Sequence, residues 1–186
     1  DQKNTSALQY HFQNLKGLIR AIHAERAEEI RQARGTLLAE LLERKPDPAL
    51  RDLCEMMIRP AVELARSRVD YRRYIKAFGH HLALEDASAL EQAGRRGGGG
   101  SSGLQLQMLL REKLKHLDDP AFRRRMELAV RLCATSVTHQ ARQPNAFRGE
   151  RSDLFISGLI DALAGLLGAP ESEQTRAIAD RISNPQ

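Results

Sequence analysis

The sequence predicts an all-α protein, for three reasons. Leu and Ala dominate the apolar residues, with 26 and 24 copies, whereas there are only four Val and nine Ile. Aromatic residues make up 4% of the chain, and strands favour β-branched and aromatic side chains. Apolar residues also recur at the three- and four-residue spacing of a helix. With 41% hydrophobic and 28% charged residues over 186 positions, the composition is typical of one or two globular domains.

The composition also excludes several classes of protein. No apolar run approaches the roughly 18 residues of a membrane span, and no charged segment followed by an apolar stretch indicates a secretory signal. Cys54 and Cys133 lie in helical apolar patterns, which is typical of reduced core residues and not of a disulfide framework or a zinc site. We therefore expect a cytoplasmic protein that does not insert into a membrane.

Caps and prolines predict the first two helices. A short helix covers Thr5–Phe12, with Leu8 and Phe12 on one face. A second helix follows over Leu15–Arg44, where one apolar stripe continues for about 30 residues, far above the mean helix length of about 11–12. The pair Pro46 and Pro48 ends it.

The middle of the chain contains two further helices and a loop. The first helix runs from Ala49 through Leu64, and we expect Pro60 to kink or break it. The second runs over Asp70–Gln92. The stretch Gly94–Gly103 contains so many glycines that it predicts a flexible loop.

The last part of the chain alternates helices with turn signals. An amphipathic helix covers Leu104–Leu117 and stops before Pro120. The helix Ala121–Ala141 has a broad apolar face, and the helix Ser152–Gly168 is apolar nearly all round, so it must be covered on more than one side. The remainder, Pro170–Gln186, predicts a short helix or an irregular tail.

The net charge of +5 is unevenly distributed. Basic residues outnumber acidic ones over 59–76 and 120–151, and the balance reverses from Ser152 onward. A basic excess of this size is compatible with binding to nucleic acid. On charge alone, solvated helix faces are the favoured explanation of the same residues.

Residues 5–19 are the most informative segment. A short polar helix ends in an aromatic-His-Phe run, and a basic residue then opens the next helix: Thr5-Ser6-Ala7-Leu8-Gln9-Tyr10-His11-Phe12, two residues, Leu15-Lys16-Gly17-Leu18-Ile19. This segment resembles the end of the helix-turn-helix domain in TetR-family transcriptional regulators. The subsequent order of helices resembles that family too, with one long connecting helix and then a bundle that ends in two long apolar helices.

The resemblance implies contacts with a double-stranded DNA operator. A recognition helix needs small and polar residues on its exposed face to enter the major groove, and a helix N-terminus binds phosphate. Gln9 stands where the family usually has Tyr, and it suits a bidentate contact with adenine. Leu15 stands where the family has a phosphate-contacting Lys, with Lys16 next to it. The predicted DNA contacts are Thr5, Ser6, Gln9, Tyr10, His11, Asn14 and Lys16.

The same resemblance divides the chain in two. Residues 1–19 correspond to the C-terminal part of the helix-turn-helix domain, whose first two helices would precede Asp1. Residues 20–186 correspond to a ligand-binding and dimerisation domain. The expected architecture is therefore a TetR-like helical bundle with a recognition helix and a long connecting helix in front of it.

An effector pocket is expected among the middle helices. Soft and aromatic side chains suit an apolar cavity for a small molecule, although ordinary core packing explains each residue singly. The predicted pocket residues are Cys54, Met57, Tyr74, Phe78, Met108 and Leu110.

A homodimer is expected from the two long apolar helices. One chain covers only one side of such a helix, and soluble monomers rarely leave a large apolar patch exposed. Two-fold symmetry covers the patch with a second copy of itself in a four-helix bundle. The predicted interface residues are Phe122, Met126, Val130, Phe155, Gly158, Leu159, Ala162 and Leu166.

These observations together predict a ligand-responsive transcriptional regulator, a repressor released from DNA by a small-molecule effector. It would need no catalytic residue, metal or cofactor, and the chain contains no nucleophile elbow or phosphate loop. Two alternatives stay open: a metal-dependent helical enzyme that uses His80, His81 and Glu85, and a helical adaptor without a ligand.

Overall fold

The computed structural model describes residues 15–80, 88–95 and 99–183, which form eight α-helices and no strand. The predicted all-α class is confirmed. None of the helices in these ranges is by itself long and apolar enough to cross a membrane. The helices are α1 (Leu15–Arg44), α2 (Leu50–Ser67), α3 (Val69–Phe78), α4 (Ala89–Ala93), α5 (Gly100–Lys113), α6 (Asp119–Arg142), α7 (Glu150–Gly168) and α8 (Glu173–Ser183).

Helix α2 lies at the centre of the bundle and contacts α1, α3, α5, α6 and α7. It is buried over most of its circumference, at Leu53, Cys54, Met56, Ile58, Pro60, Val62 and Ala65. Helices α6 and α7 pack against each other, and α1 packs against α5 on the other side of α2. The hydrophobic core is therefore one continuous cluster around α2.

Helix α2 is not broken at Pro60 and continues to Ser67. A proline inside a helix cannot donate the hydrogen bond to the carbonyl four residues earlier. The Pro60 ring is fully buried in the core, so its apolar contacts offset part of that loss. Of the expected kink or break, the break does not occur.

The predicted helix Asp70–Gln92 is wrong in its extent. Helix α3 ends at Phe78, and a new helix, α4, begins after Ser88. The Glu127 carboxylate of α6 accepts hydrogen bonds from the backbone N–H groups of Ala89 (2.6 Å) and Leu90 (2.9 Å) and from the Ser88 hydroxyl (2.9 Å). Contacts made by another helix thus cap α4 at a point that sequence periodicity does not show.

The four residues Gly100–Gly103 are helical, contrary to the flexible loop expected over Gly94–Gly103. Ser102 and Gly103 are buried, and the Ser102 hydroxyl donates to the Arg31 carbonyl of α1 at 3.0 Å. Small side chains let α5 approach α1 closely here, so burial outweighs the weak helix propensity of glycine. Residues 96–98 of the predicted loop lie outside the described residues.

The remaining long helices lie where the sequence predicts them. Helix α1 covers Leu15–Arg44 as expected, and α6 and α7 begin two residues before the predicted starts. Asp118 caps α6 by accepting from the Ala121 backbone N–H at 2.7 Å. The last segment, predicted as a short helix or an irregular tail, contains helix α8. None of the residues of α8 is buried.

An ion-pair network ties the first half of α1 to the junction of α2 and α3. Arg26 pairs with Glu29 at 2.8 Å and with Asp70 at 3.0 Å, and Arg68 at the junction also pairs with Glu29 and Asp70. The hydrogen bonds from Arg68 hold the pKa of Asp70 well below its usual range. The Arg26 guanidinium lies 5.9 Å from the centre of the Tyr71 ring. These contacts fix α1 beside α3.

Candidate functional site

A cavity of about 440 Å³ lies between α1, α2, α3, α5 and α6, with α4 at its edge. This volume falls in the range of about 300–1,000 Å³ that is common for small-molecule sites. Most of the lining side chains are apolar, and several are small, including Ala61, Gly79, Gly103 and Ala134. The cavity therefore exists where facing helices carry side chains too short to fill the space between them.

Four of the six residues predicted to form an effector pocket line this cavity, namely Met57, Tyr74, Phe78 and Leu110. The other two do not. Met108 is 70% exposed, because it lies on the opposite side of α5 from Leu106 and Leu110, which are four residues apart and both buried.

Cys54 is fully buried but belongs to the core of α2 and not to the cavity wall. Burial raises the pKa of its thiol to about 12, and burial has the same effect on Cys133, which does line the cavity. Both thiols are free. At neutral pH they are protonated and unreactive.

A buried cation, Arg34 of α1, lines the cavity. It is 5% exposed. Its Nε donates to the Ser102 hydroxyl and its Nη2 to the Gly99 carbonyl, each at 3.3 Å. Burial lowers the pKa of Arg34, and the nearby charge of Arg31 lowers it further.

A second polar group in the wall is the Thr138 hydroxyl of α6. Thr138 is 4% exposed, and within the described part of the chain its Oγ1 has no hydrogen-bond partner. It lies against Gly79 at the end of α3, where the Cβ of any other residue would overlap with Thr138 Oγ1 and the Ile75 carbonyl. Glycine at position 79 is thus what lets α3 and α6 approach so closely.

The cavity wall is linked directly to α1 through an aromatic cluster. The Tyr74 hydroxyl lies 2.9 Å from Nδ1 of His23. The His23 ring packs edge-on against both Phe78, with centroids 5.0 Å apart, and Tyr74, with centroids 5.7 Å apart. Because Tyr74 and Phe78 both line the cavity, a molecule bound there would touch the two side chains that hold His23.

His23 and Arg34 are not among the residues predicted from the sequence, although α1 contains a signal for both. They occupy positions of the stripe that α1 turns toward the bundle, in line with Ala27, Ile30 and Leu38. A polar residue at an apolar position of a long amphipathic helix indicates either a specific partner or a ligand. For His23, the Tyr74 hydroxyl is such a specific partner.

The outward strip of α7 contains four of the predicted interface residues. Gly158 and Ala162 are exposed, and Phe155 and Leu166 are half-buried. A Cβ added at Gly158 or Gly165 would meet no atom within 4 Å. On α6, Leu128 is 54% exposed. The outer strip of α7 is therefore open, and Leu128 adds exposed apolar surface on α6 among the exposed Arg124, Thr135 and His139.

The other four predicted interface residues do not lie on this outer strip and face the inside of the chain instead. Phe122, Met126 and Leu159 are buried in the chain's own core, and Val130 lines the cavity together with Met126. The face of α6 that carries Phe122, Met126 and Val130 is turned toward the cavity. The opposite side of the helix is the exposed one.

The predicted DNA contacts are not described by the structure. Thr5, Ser6, Gln9, Tyr10, His11 and Asn14 lie outside the described residues, and for Lys16 only the backbone, in α1, is described. His81 and Glu85 of the alternative metal site also lie outside. Among the described residues no group of three or more His, Cys, Asp or Glu side chains is placed to hold a metal ion.

No family model matches the chain, and neither a curated protein nor a solved structure is similar to it. The likeness to TetR-family regulators therefore depends on residues 5–19 and on the order of the helices.

We expect Thr138→Val to raise the free energy of unfolding by about 1 kcal/mol, because the variant replaces an unsatisfied buried hydroxyl by an apolar group of similar shape. Chemical denaturation monitored by circular dichroism measures the change. Thr135→Val is the matched control. Thr135 is exposed and donates to the Arg131 carbonyl at 2.8 Å, so its replacement should change stability by less than about 0.5 kcal/mol. A loss of stability in Thr138→Val would contradict the conclusion that the Thr138 hydroxyl is buried without a hydrogen-bond partner.

Proposed function

We propose that this chain is a ligand-responsive transcriptional regulator of the TetR type, a cytoplasmic repressor that acts by binding and not by catalysis. Residues 1–19 would contribute to the DNA-binding domain and residues 20–186 would bind the effector and form the dimer. The observation that carries the proposal is the contact between the cavity wall and α1, at the Tyr74–His23 hydrogen bond. Free cysteines and an apolar cavity of ligand size support it.

The mechanism requires two arrangements of α1 with different affinity for the effector. A molecule that enters the cavity touches Tyr74 and Phe78 and thereby changes how they pack on His23. Because α1 starts at Leu15, directly after the predicted recognition segment, a shift of its first half moves that segment. Effector and operator then weaken each other's binding by the same factor.

The dimer would form through the outer face of α6 and α7. Gly158 and Ala162 allow a second α7 to approach closely, and Phe155, Leu166 and Leu128 supply the apolar area around them. The Arg125 side chain of α6 donates to the Leu166 carbonyl of α7, a contact that joins the two helices. A patch of this kind is covered most simply by its own copy, related by a two-fold axis.

The metal-dependent enzyme remains a competing prediction, since two of its three residues lie outside the described part of the chain. A metal analysis of the purified protein separates the two functions. One zinc or iron ion per chain would favour the enzyme, whereas the regulator needs none. The adaptor differs from both because it would bind neither a small molecule nor DNA.

We expect Tyr74→Phe to weaken the response to effector without preventing effector binding. The variant removes only the hydroxyl that bonds to His23, which is worth about 1 kcal/mol, or about fivefold in the ratio of operator affinities without and with effector. Phe78→Ala should abolish the response while operator affinity is retained. To find an effector, lipophilic compounds are first screened for release of operator DNA. Fluorescence anisotropy of labelled operator DNA measures the release.

Tyr71→Phe is the matched control for these variants, because Tyr71 lines the same cavity but the hydrogen bond to His23 comes from Tyr74. Its response should equal that of the unmodified protein. A normal response in both Tyr74→Phe and Phe78→Ala would show that α1 is not coupled to the effector through this wall.

We expect the protein expressed from its complete reading frame to select a pseudo-palindromic site from random DNA. Gln9→Ala should weaken binding to that site by about 1–3 kcal/mol, because a bidentate contact with a base is lost. Lys16→Ala should weaken binding to all sequences. It should also reduce the slope of the logarithm of the binding constant against the logarithm of the salt concentration by about one. Unchanged affinity in both variants would mean that this segment does not contact DNA.

We expect the unmodified protein to be a dimer by light scattering at micromolar concentration. Gly158→Arg should produce monomer or aggregate, because a long charged side chain would stand at the closest approach of the two α7 helices. Thr36→Arg, on the exposed side of α1, adds the same side chain away from the interface and should remain dimeric. A monomeric mass for the unmodified protein would refute the dimer and the two half-sites in DNA.

A further inference from the structure

The two basic segments of the chain, 59–76 and 120–151, meet at a second concave site, which we call the basic pocket. It has a volume of about 300 Å³ and lies between α3 and the loop that joins α6 to α7. Of the described residues that line it, none is acidic and four are cationic: Arg72, Arg73, Lys76 and Arg148. Solvated helix faces do not require this convergence, because separate basic faces repel each other.

One wall of the basic pocket is a stripe of α3. Arg72, Arg73 and Lys76 share one side of the helix, because residues three and four positions apart are neighbours on a helix surface. The buried residues Tyr71 and Ile75 hold a different side of α3 against the core. Like charges at this spacing destabilise a helix. The stripe therefore costs free energy that a bound anion would recover.

The other wall is the loop after α6, which contributes Arg148. The loop is fixed at Phe147, which is 1% exposed and whose carbonyl accepts a hydrogen bond from Nε of Arg66 at 2.9 Å. The backbone N–H of Arg148 donates to the Asn145 carbonyl, also at 2.9 Å. Because the loop is already held in place, an anion bound between the two walls pays little for ordering the backbone around it.

The cations of the basic pocket are available to a ligand. The side chains of Arg73, Lys76 and Arg148 form no hydrogen bond or ion pair with the part of the chain that the structure describes. Arg72 donates through Nη1 to two backbone carbonyls in the last turn of α2. These bonds position its guanidinium at the pocket and leave its charge without a carboxylate partner.

We propose that the basic pocket binds the phosphate group of a small phosphorylated molecule. A phosphate monoester has a charge of roughly −1.5 to −2 at pH 7 and three acceptor oxygens, so cations from both walls can bind it at once. Guanidinium groups also match phosphate oxygens bidentately. Cations gathered around one concave site fit a single phosphate group, whereas binding to duplex DNA uses cations spread along a surface or a helix.

This site goes beyond the proposed function. It shares none of its described lining residues with the cavity between α1, α2, α3, α5 and α6, and it does not include residues 1–19. A regulator and an adaptor could both contain it, so its occupation does not depend on which of them the chain is.

Isothermal titration calorimetry with inorganic diphosphate in about 0.1 M NaCl tests the proposal, since this salt screens charges more than about 10 Å apart. We expect one diphosphate to bind per chain. Arg73→Gln and Arg148→Gln, one on each wall, should each weaken binding about tenfold, because each removes a charge-assisted hydrogen bond. Both residues are exposed, so the variants should fold, which circular dichroism verifies.

Arg123→Gln is the matched control. Arg123 is an exposed arginine near the start of α6, whereas the basic pocket lies at the end of that helix. The variant removes the same charge from the chain and should change the affinity for diphosphate by less than about twofold.

A second measurement uses the unmodified protein alone. In ³¹P NMR of bound phenyl phosphate, the second pKa of the phosphate should lie below its value in free phenyl phosphate, because the cations stabilise the dianion. A second pKa at or above the free value would overturn the proposal.

Three other results would also overturn it. The first is that diphosphate does not bind. The second is that Arg123→Gln weakens binding as much as the pocket variants, which would mean attraction by net charge alone. The third concerns a DNA duplex without terminal phosphates: if it binds through Arg73 and Arg148 and diphosphate does not displace it, the pocket is part of a nucleic-acid surface. Each of these failures leaves the proposed function standing, because the effector cavity and the recognition segment are tested by other variants.

Discussion

The structure depends on the burial of α2 from nearly every side. A helix with apolar residues around most of its circumference needs neighbours on each of its apolar sides, and five helices supply them. Side chains of ordinary size would close such a shell without leaving space. The cavity remains because alanine and glycine stand at facing positions, such as Ala61 on α2 and Ala134 on α6. The ligand-sized space is thus a result of where the small residues occur in an otherwise dense core.

Helix α1 carries two large polar side chains on its inward face. His23 and Arg34 replace apolar residues of the stripe at two positions that both reach the cavity region, one through Tyr74 and one directly. Burying polar groups costs free energy unless they are hydrogen-bonded. Hydrogen bonds to Tyr74, Ser102 and Gly99 are among the contacts of these two residues. They give the longest helix specific contacts with the cavity region.

The features that could be predicted from the sequence are those that depend on the residues of one segment alone. The extent of α1 follows from one continuous stripe and from the prolines after it. Three pocket residues, Met57, Tyr74 and Phe78, were found because aromatic and soft side chains stand out in a chain with few of them. The errors arose where another helix decides the outcome. The packing of Ser102 on α1 makes Gly100–Gly103 helical, and the burial of Pro60 keeps α2 continuous. The inward side of α6 could not be chosen from its own residues, because both sides contain leucine or phenylalanine.

Helix α4 depends on α6 for its structure, because Glu127 of α6 caps it. Five residues cannot hold a helix in water by themselves, and Glu127 of α6 supplies the acceptors for its first N–H groups. Although burial opposes it, the hydrogen bonds from Leu90 and Ala89 lower the pKa of Glu127, which keeps the carboxylate charged at neutral pH. The order of this edge of the cavity consequently depends on α6: without the Glu127 carboxylate, the first N–H groups of α4 would lose their acceptors.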